Sequence, residues 1–283
     1  MIGAKKVALT GGEPLVYTEL LGIIEAASSL SLATSLYTTG VKNNDLDPLD
    51  EGEVSCLISA GLGRIIFSLY AATPEIHNSV TGFRSFAATV KAVKNCVQAG
   101  LSVEFHFVPL RQNYLQLNEL IRLAETLGVP KVSVLRFVPH GRGAIIKETE
   151  ELPAEAYREF RKIVQGLRTS GSVQVRLGAP MNILRLGHTC CDAAQDIIVI
   201  DHRGRVFPCD AFKGTDYPDP VYGSVLENSL ASAWESSAYL EAARRLHAEH
   251  RNGCRSCPTG CMAQEAVRKG GLQQLIKLSG VKS

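Results

Sequence analysis

The sequence predicts an α/β fold: a barrel or partial barrel of parallel strands, followed by a small cysteine-rich α+β domain. Three observations predict it. Short apolar runs rich in Val, Ile and Leu alternate with amphipathic stretches of 13 to 17 residues, the pattern of a parallel sheet covered by helices. Polar residues of the kind that bind ligands cluster just after several of these runs, as at the top of a barrel. Six of the eight cysteines lie after residue 189. An open doubly wound sheet has the same periodicity, so pattern alone leaves the two arrangements open.

The elements follow in order. Lys6 to Thr10 reads as a buried strand, and Pro14 to Leu30 as a helix with proline in its first turn. Leu32 to Thr39 is a second strand ending at Gly40, and Asp47 to Ala60 is helical. Arg64 to Tyr70 is a third strand, and Arg84 to Ala99 a helix closing on Gly100. Ser102 to Val108, a helix over Leu115 to Leu127 closing on Gly128, and Lys131 to Val138 complete a βαβαβαβαβ series. The pattern then changes. Leu152 to Leu167 is a helix and Val173 to Val175 a short strand; Ile197 to Ile200 and Arg205 to Pro208 form a β-hairpin. Asn228 to Ala248 and Met262 to Leu278 are helical. The expected division is a barrel core over 1–145, a connector over 146–180 and a cysteine-rich domain over 181–283.

Composition excludes several classes. With 45% hydrophobic residues in 283, a sizeable core is available. Net charge is +2, from 30 basic and 28 acidic residues, and no polybasic run is present, so neither nucleic acid nor an anionic membrane is an expected partner. Aromatics at 6% argue against a stacking platform for single strands. No apolar run reaches about 18 residues. The apolar stretch after Lys5 and Lys6 is broken by Gly-Gly-Glu-Pro, so no secretory leader is expected and a cytoplasmic location is. In that compartment the cysteines read as metal ligands or free thiols.

Gly11-Gly12-Glu13-Pro14 stands between a strand and a helix. Paired glycines let backbone approach a ligand, and Glu13 is able to accept from an ammonium group; a plain tight turn has the same appearance. Ser68 lies in a strand, either facing the barrel interior or bonded to backbone. His77 reads as a loop residue. Arg136 lies in an apolar run, where its charge must be paired or meet a ligand. The strongest signal is Cys254-x2-Cys257 with Cys261 beyond it, and upstream Cys190, Cys191 and Cys209, the last two spaced as C-x12-G-x4-C. Such spacing chelates a metal centre, iron–sulfur or zinc. Cys56 and Cys96 sit in apolar helical patterns and read as core residues.

Together these motifs resemble radical SAM enzymes with a SPASM or twitch C-terminal domain, over nearly the whole chain. Gly-Gly-Glu-Pro matches the family's motif for the amino group of S-adenosylmethionine. The stretch from Ser68 through His77 to Gly82 looks like the fourth barrel strand and its loop, and Gly204 to Asp210 like the auxiliary-cluster hairpin. The resemblance implies that Gly11, Gly12, Glu13 and Pro14 hold the methionine amine, and that Ser68, Asn113 and Arg136 contact the rest of the cofactor. It implies an auxiliary 4Fe-4S cluster drawn from Cys190, Cys191, Cys209, Cys254, Cys257 and Cys261. Cys261 closes the series, which favours one cluster over two.

The family's C-x3-C-x2-C motif does not occur in these 283 residues. The chain begins at what resembles the family's second strand, so the first βα unit is expected to be missing. A partner chain supplying that strand is one expectation. Without those thiolates the resemblance implies weak or absent binding of S-adenosylmethionine and no 5′-deoxyadenosyl radical from this chain alone. In full-length form it implies modification of a peptide or small molecule, with electrons from a flavodoxin or ferredoxin. A non-catalytic iron–sulfur or zinc-binding subunit derived from such an enzyme is the alternative.

Overall fold

The computed structural model describes residues 2–139, 142–167, 171–178, 181–186, 191–213, 222–250 and 261–263. Two compact units divide it: one of residues 3–137 and 150–178, the other of 1–2, 138–149 and 179–283.

The first unit is a six-stranded sheet in the order β1 (Lys6–Leu9), β2 (Ala33–Thr38), β3 (Arg64–Ser68), β4 (Ser102–Phe107), β5 (Lys131–Val134) and β6 (Gln174–Leu177). Every neighbouring pair is parallel. A strand order that follows the sequence without reversal has no switch point, so the sheet is a partial barrel rather than a doubly wound one. The helix and strand expected as a connector belong to this unit: β6 pairs with β5 through Val132↔Val175.

Between the strands run α1 (Leu20–Ser29), α2 (Glu51–Ser59), α3 (Pro74–Thr81), α4 (Phe86–Gln98), α5 (Leu117–Leu127) and, before β6, α8 (Ala154–Leu167). Local chemistry sets their ends. The first helix starts later than the proline predicts: Pro14–Val16 is a 3-10 turn that ends at extended Tyr17, ψ 119°, and α1 begins at Leu20. The second starts at Glu51 because Asp50 and Glu53 form a reciprocal capping box. Pro48 also disfavours helix at Asp47, where the sequence places the start. His77 stands in α3, not in a loop; Pro74 in the first turn and left-handed Gly82 at φ 75° bound that helix. Strand β5 ends at Val134 rather than Val138, which leaves Arg136 beyond the ladder.

Alternation divides the sheet into two faces. Leu36, Ile65, Phe67, Phe105, Phe107, Val132 and Val134 share the face that meets the helices, against Ile24, Val54, Val93, Leu120 and Phe160, all fully buried. The opposite face carries Arg64, Glu104, His106, Lys131, Ser133 and Arg176. Gly40 leaves β2 at φ +77°, where an added Cβ would stand 2.6 Å from the Phe67 ring. Cys96 is buried in the helix layer, and burial pushes its thiol up to about 12; Cys56, expected in the core, is exposed on α2.

The second unit includes single-turn α6 (Arg142–Ile145) and most of α7 (Lys147–Glu150). An antiparallel pair, β7 (Val199–Ile200) and β8 (Val206–Phe207), bears out the expected hairpin. Its turn is closed by Asp201, whose carboxylate accepts from Arg203 N and Arg205 N at 2.9 Å and from Arg205 Nε at 2.8 Å. The single helix expected over 228–248 is two, α9 (Leu230–Ser236) and α10 (Ala238–His250). Ser237 breaks it: its hydroxyl donates to Tyr222 O at 2.6 Å and accepts from Leu240 N at 3.3 Å. Phe207, Phe212, Tyr222 and Tyr239 pack edge-on and tilted in the core of this unit. Among the described residues no helix is long and apolar enough to cross a membrane.

Candidate functional site

Parallel strands bring their C-terminal ends to one edge, where barrels bind ligands. The Gly11–Glu13 turn follows β1, Ser68 ends β3, Asn113 follows β4 and Arg136 follows β5. The predicted cofactor-binding residues of the first unit thus line one edge of the sheet.

Gly11 takes φ +154°, a region that side chains rarely adopt, and a Cβ built on Gly11 or Gly12 would meet no atom within 4 Å. The turn is exposed and its backbone is open to a ligand. Glu13 is half-buried, and its carboxylate is engaged from within the chain. Oε1 accepts from Leu15 N at 3.1 Å and the Thr38 hydroxyl at 2.5 Å. Oε2 accepts from Thr39 N at 2.8 Å and the Thr39 hydroxyl at 2.6 Å. A carboxylate has about four acceptor sites, so an ammonium group here meets the glycine backbone or displaces a threonine hydroxyl. Pro14 starts the 3-10 turn that Glu13 caps.

Ser68 is half-buried on the inner face, beside His106 in register. Asn113 is 1% exposed, and its amide joins two loops: Nδ2 donates to Tyr70 O at 2.9 Å and Val108 O at 3.1 Å, while Oδ1 accepts from Leu110 N at 2.6 Å. From the other side His77 Nδ1 accepts from Tyr70 N at 3.3 Å, which leaves Nε2–H to donate to the Ser85 hydroxyl at 3.1 Å. Burial holds this imidazole down to about 4, so it is neutral at pH 7. The Tyr70 peptide, two residues past Ser68, is therefore gripped on both sides. Arg136 is half-buried, and its charge acts on the Tyr157 hydroxyl of α8, opposing the upward push of burial.

Sequence reasoning missed the inner face. Glu104, 2% exposed, lies at its centre and pairs with Arg64 at 3.1 Å, His106 at 3.3 Å, Lys131 at 3.4 Å and Arg176 at 3.7 Å; it also accepts from Ser133. Burial raises this carboxyl, but the His106 and Ser133 hydrogen bonds and the Lys131 charge outweigh it, leaving the group at about 2. The signal was present in three strands as polar residues at every second place: Glu104 and His106, Lys131 and Ser133, Gln174 and Arg176.

In the second unit Cys191, Cys209 and Cys261 act on one another electrostatically within an apolar shell that includes Phe207 and Met262. Burial pushes the Cys191 thiol up and Cys209 up to about 12; the charge of Cys261 adds to both, and that of Cys191 adds to Cys209. Backbone N–H groups of Met262 and Ala193 point at Cys191, and that of Ala211 at Cys209, favouring thiolate. Among the described residues no group of three His, Cys, Asp or Glu side chains is arranged to hold a metal ion; Cys190, Cys254 and Cys257 lie outside the described residues. Half-buried Cys191 and Cys209, with amide donors aimed at their sulfurs, and buried Cys261 suit thiolate ligation of an iron–sulfur cluster, whose iron would balance the thiolate charge.

Residues 1–124 match the radical SAM superfamily, and residues 190–258 match SPASM, an iron–sulfur cluster-binding domain. The chain is 26% identical over 277 residues to PqqA peptide cyclase of Gluconobacter oxydans (strain 621H), covering 95% of this chain and 75% of that protein. It is 28% identical over 286 residues to the same enzyme of Rhizobium meliloti (strain 1021), covering 95% and 72%. Streptococcus suis SuiB has the same fold, with a TM-score of 0.69 at 17% identity over 85% of this chain. This chain spans 57% of the SuiB chain, a protein solved also with S-adenosylmethionine and with its precursor peptide SuiA. The chain belongs to the radical SAM superfamily through residues 1–124 and carries a SPASM iron–sulfur cluster-binding domain over 190–258.

Proposed function

We propose that this chain forms the S-adenosylmethionine-binding and auxiliary-cluster portion of an enzyme that modifies a peptide. The observation that carries the reading is the row of Gly11, Gly12, Glu13, Ser68 and Arg136 along the C-terminal edge of one parallel sheet. The peptide class is supported by the PqqA peptide cyclases and by SuiB, which has been solved with a precursor peptide.

The open backbone of Gly11 and Gly12 receives the amino and carboxylate end of the cofactor. Glu13 fixes that turn to the end of β2 through Thr38 and Thr39 and adds negative charge beside the amine. Ser68 and Arg136 meet the remainder of the cofactor, and Asn113 acts through the Tyr70 backbone. Bound S-adenosylmethionine supplies, once reduced, the radical that abstracts hydrogen from substrate. In the second unit Cys191 and Cys209, with two of Cys254, Cys257 and Cys261, hold one 4Fe-4S cluster, and Cys190 is the alternative first ligand. A flavodoxin- or ferredoxin-type donor supplies electrons, and the cytoplasm is the place of action.

These 283 residues contain no C-x3-C-x2-C, so the chain by itself does not cleave S-adenosylmethionine. A partner chain pairing along β1 is the counterpart of that reading, and β1 is half-exposed. The test is to incubate the anaerobically reconstituted chain with dithionite and S-adenosylmethionine. The expected result is no 5′-deoxyadenosine from the chain alone, and release of it when a segment bearing C-x3-C-x2-C is fused ahead of Met1. Cleavage by the unfused chain, or none by the fusion, overturns the reading.

A further inference from the structure

The charges on the inner face do not balance. Arg64, Lys131 and Arg176 are basic side chains, and among the described residues each has Glu104 as its only carboxylate within ion-pair distance. Three positive charges thus share one negative charge on a concave surface. Glu104 is enclosed at 2% exposure, whereas the side chains of Arg64, Lys131 and Arg176 are 37%, 24% and 43% exposed. The carboxylate is committed inside, and the surplus charge faces outward.

The donors are also incompletely used. Arg64 Nη1 meets Glu104 and Nη2 meets the Ser35 hydroxyl at 3.2 Å, but Nε is buried without a hydrogen-bond partner. Arg176 spends Nε on the Ser133 hydroxyl at 2.8 Å and keeps only a long approach of 3.7 Å to Glu104. Planar guanidinium groups with unused donors are suited to an oxyanion, which accepts several N–H groups at once. A concave wall of one sign focuses the field on such a ligand.

The cluster runs across the inner face rather than along one level of it. Arg64 begins β3, four residues and about 13 Å along the strand before Ser68. Lys131 pairs in register with Glu104, and Arg176 with Ser133, which stands in the row of His106 and Ser68.

We propose that Arg64, Lys131 and Arg176 form an oxyanion-binding site on the sheet's inner face, organised by Glu104, for a carboxylate or phosphoryl group. The site stands whether or not the chain binds S-adenosylmethionine. The carboxylate source is an acidic peptide side chain; the phosphoryl source is a phosphorylated metabolite or free phosphate.

The test titrates the folded chain with inorganic phosphate and, separately, with N-acetylglutamate amide, at constant ionic strength with chloride as the reference. Backbone amide shifts of β3, β5 and β6 provide the readout. One probe is expected to saturate with a stoichiometry of about one, and the stronger of the two identifies the source. Arg176→Gln, on the last strand of the sheet, is expected to weaken that binding about tenfold with an unchanged far-UV spectrum. Arg64→Lys keeps the charge but loses the fork, and is expected to weaken binding less. Shifts that never saturate, that chloride reproduces, or that persist undiminished in both variants overturn the proposal.

Discussion

Asn113 is a polar side chain committed wholly to the backbone around it. Its amide holds Tyr70, Val108 and Leu110 together while 1% exposed. Asn113→Ala leaves these backbone groups unpaired in the interior, and the expected loss is about 3 kcal/mol, seen as a lower midpoint in urea unfolding. Gly12 is the opposite case. A Cβ there meets no atom within 4 Å, so Gly12→Val is expected to keep its unfolding midpoint within about 0.5 kcal/mol of the wild type. If the glycine backbone receives the cofactor, that same variant loses S-adenosylmethionine affinity at least tenfold in the cluster-bearing fusion. His77 and Glu104 set the response to acid. A histidine held at about 4 and a carboxylate held at about 2 both bind protons more readily in the unfolded chain. The contribution of these two groups is therefore full above about 6.5 and falls as pH drops, first through the His77 window and then between about 4.5 and 2. Glu104→Gln is expected to flatten the lower part of that curve in pH-dependent unfolding. Of these residues, Glu13 and Asn113 were legible as motif members. Their partners were not, because the bonds from Thr38 and Tyr70 span 25 and 43 positions of sequence.

At the scale of elements, the sequence signals that acted locally were the ones that could be read. Apolar runs marked every strand of the sheet, and Gly100 and Gly128 marked the ends of α4 and α5 in left-handed conformation. Errors arose where a tertiary contact overrode propensity. The turn after Pro14 is drawn toward β2 by Glu13, so the helix restarts at Leu20. The long apolar pattern over 228–248 is cut at Ser237, whose hydroxyl binds Tyr222 O fifteen positions away. Gly40 carries a prediction of the same kind. Gly40→Ala forces φ +77° on a side chain and drives its Cβ to 2.6 Å from the Phe67 ring and 2.8 Å from Ala92 Cβ. Expected destabilisation is about 2 to 4 kcal/mol, measured by chemical unfolding, since neither β3 nor α4 can retreat from a packed layer.

For the whole molecule, two units carry two chemistries. The sheet unit carries Glu13, Ser68 and Arg136 at or just beyond the C-terminal ends of its strands, and the second unit gathers Cys191, Cys209 and Cys261 in and against an apolar core. The cysteine spacing announced the second chemistry plainly, because metal chelation is written in short intervals such as Cys254-x2-Cys257. The polar inner face was written just as regularly, at period two, and was overlooked beside the stronger apolar signal. An iron–sulfur cluster on Cys191, Cys209 and the cysteines beyond them is tested most directly by the iron, sulfide and zinc content of the chain after reconstitution without oxygen. Roughly four iron and four sulfide per chain are expected, lost in Cys191→Ala/Cys209→Ala while the strand and helix signal of the far-UV spectrum is largely kept. Zinc without iron or sulfide would contradict it.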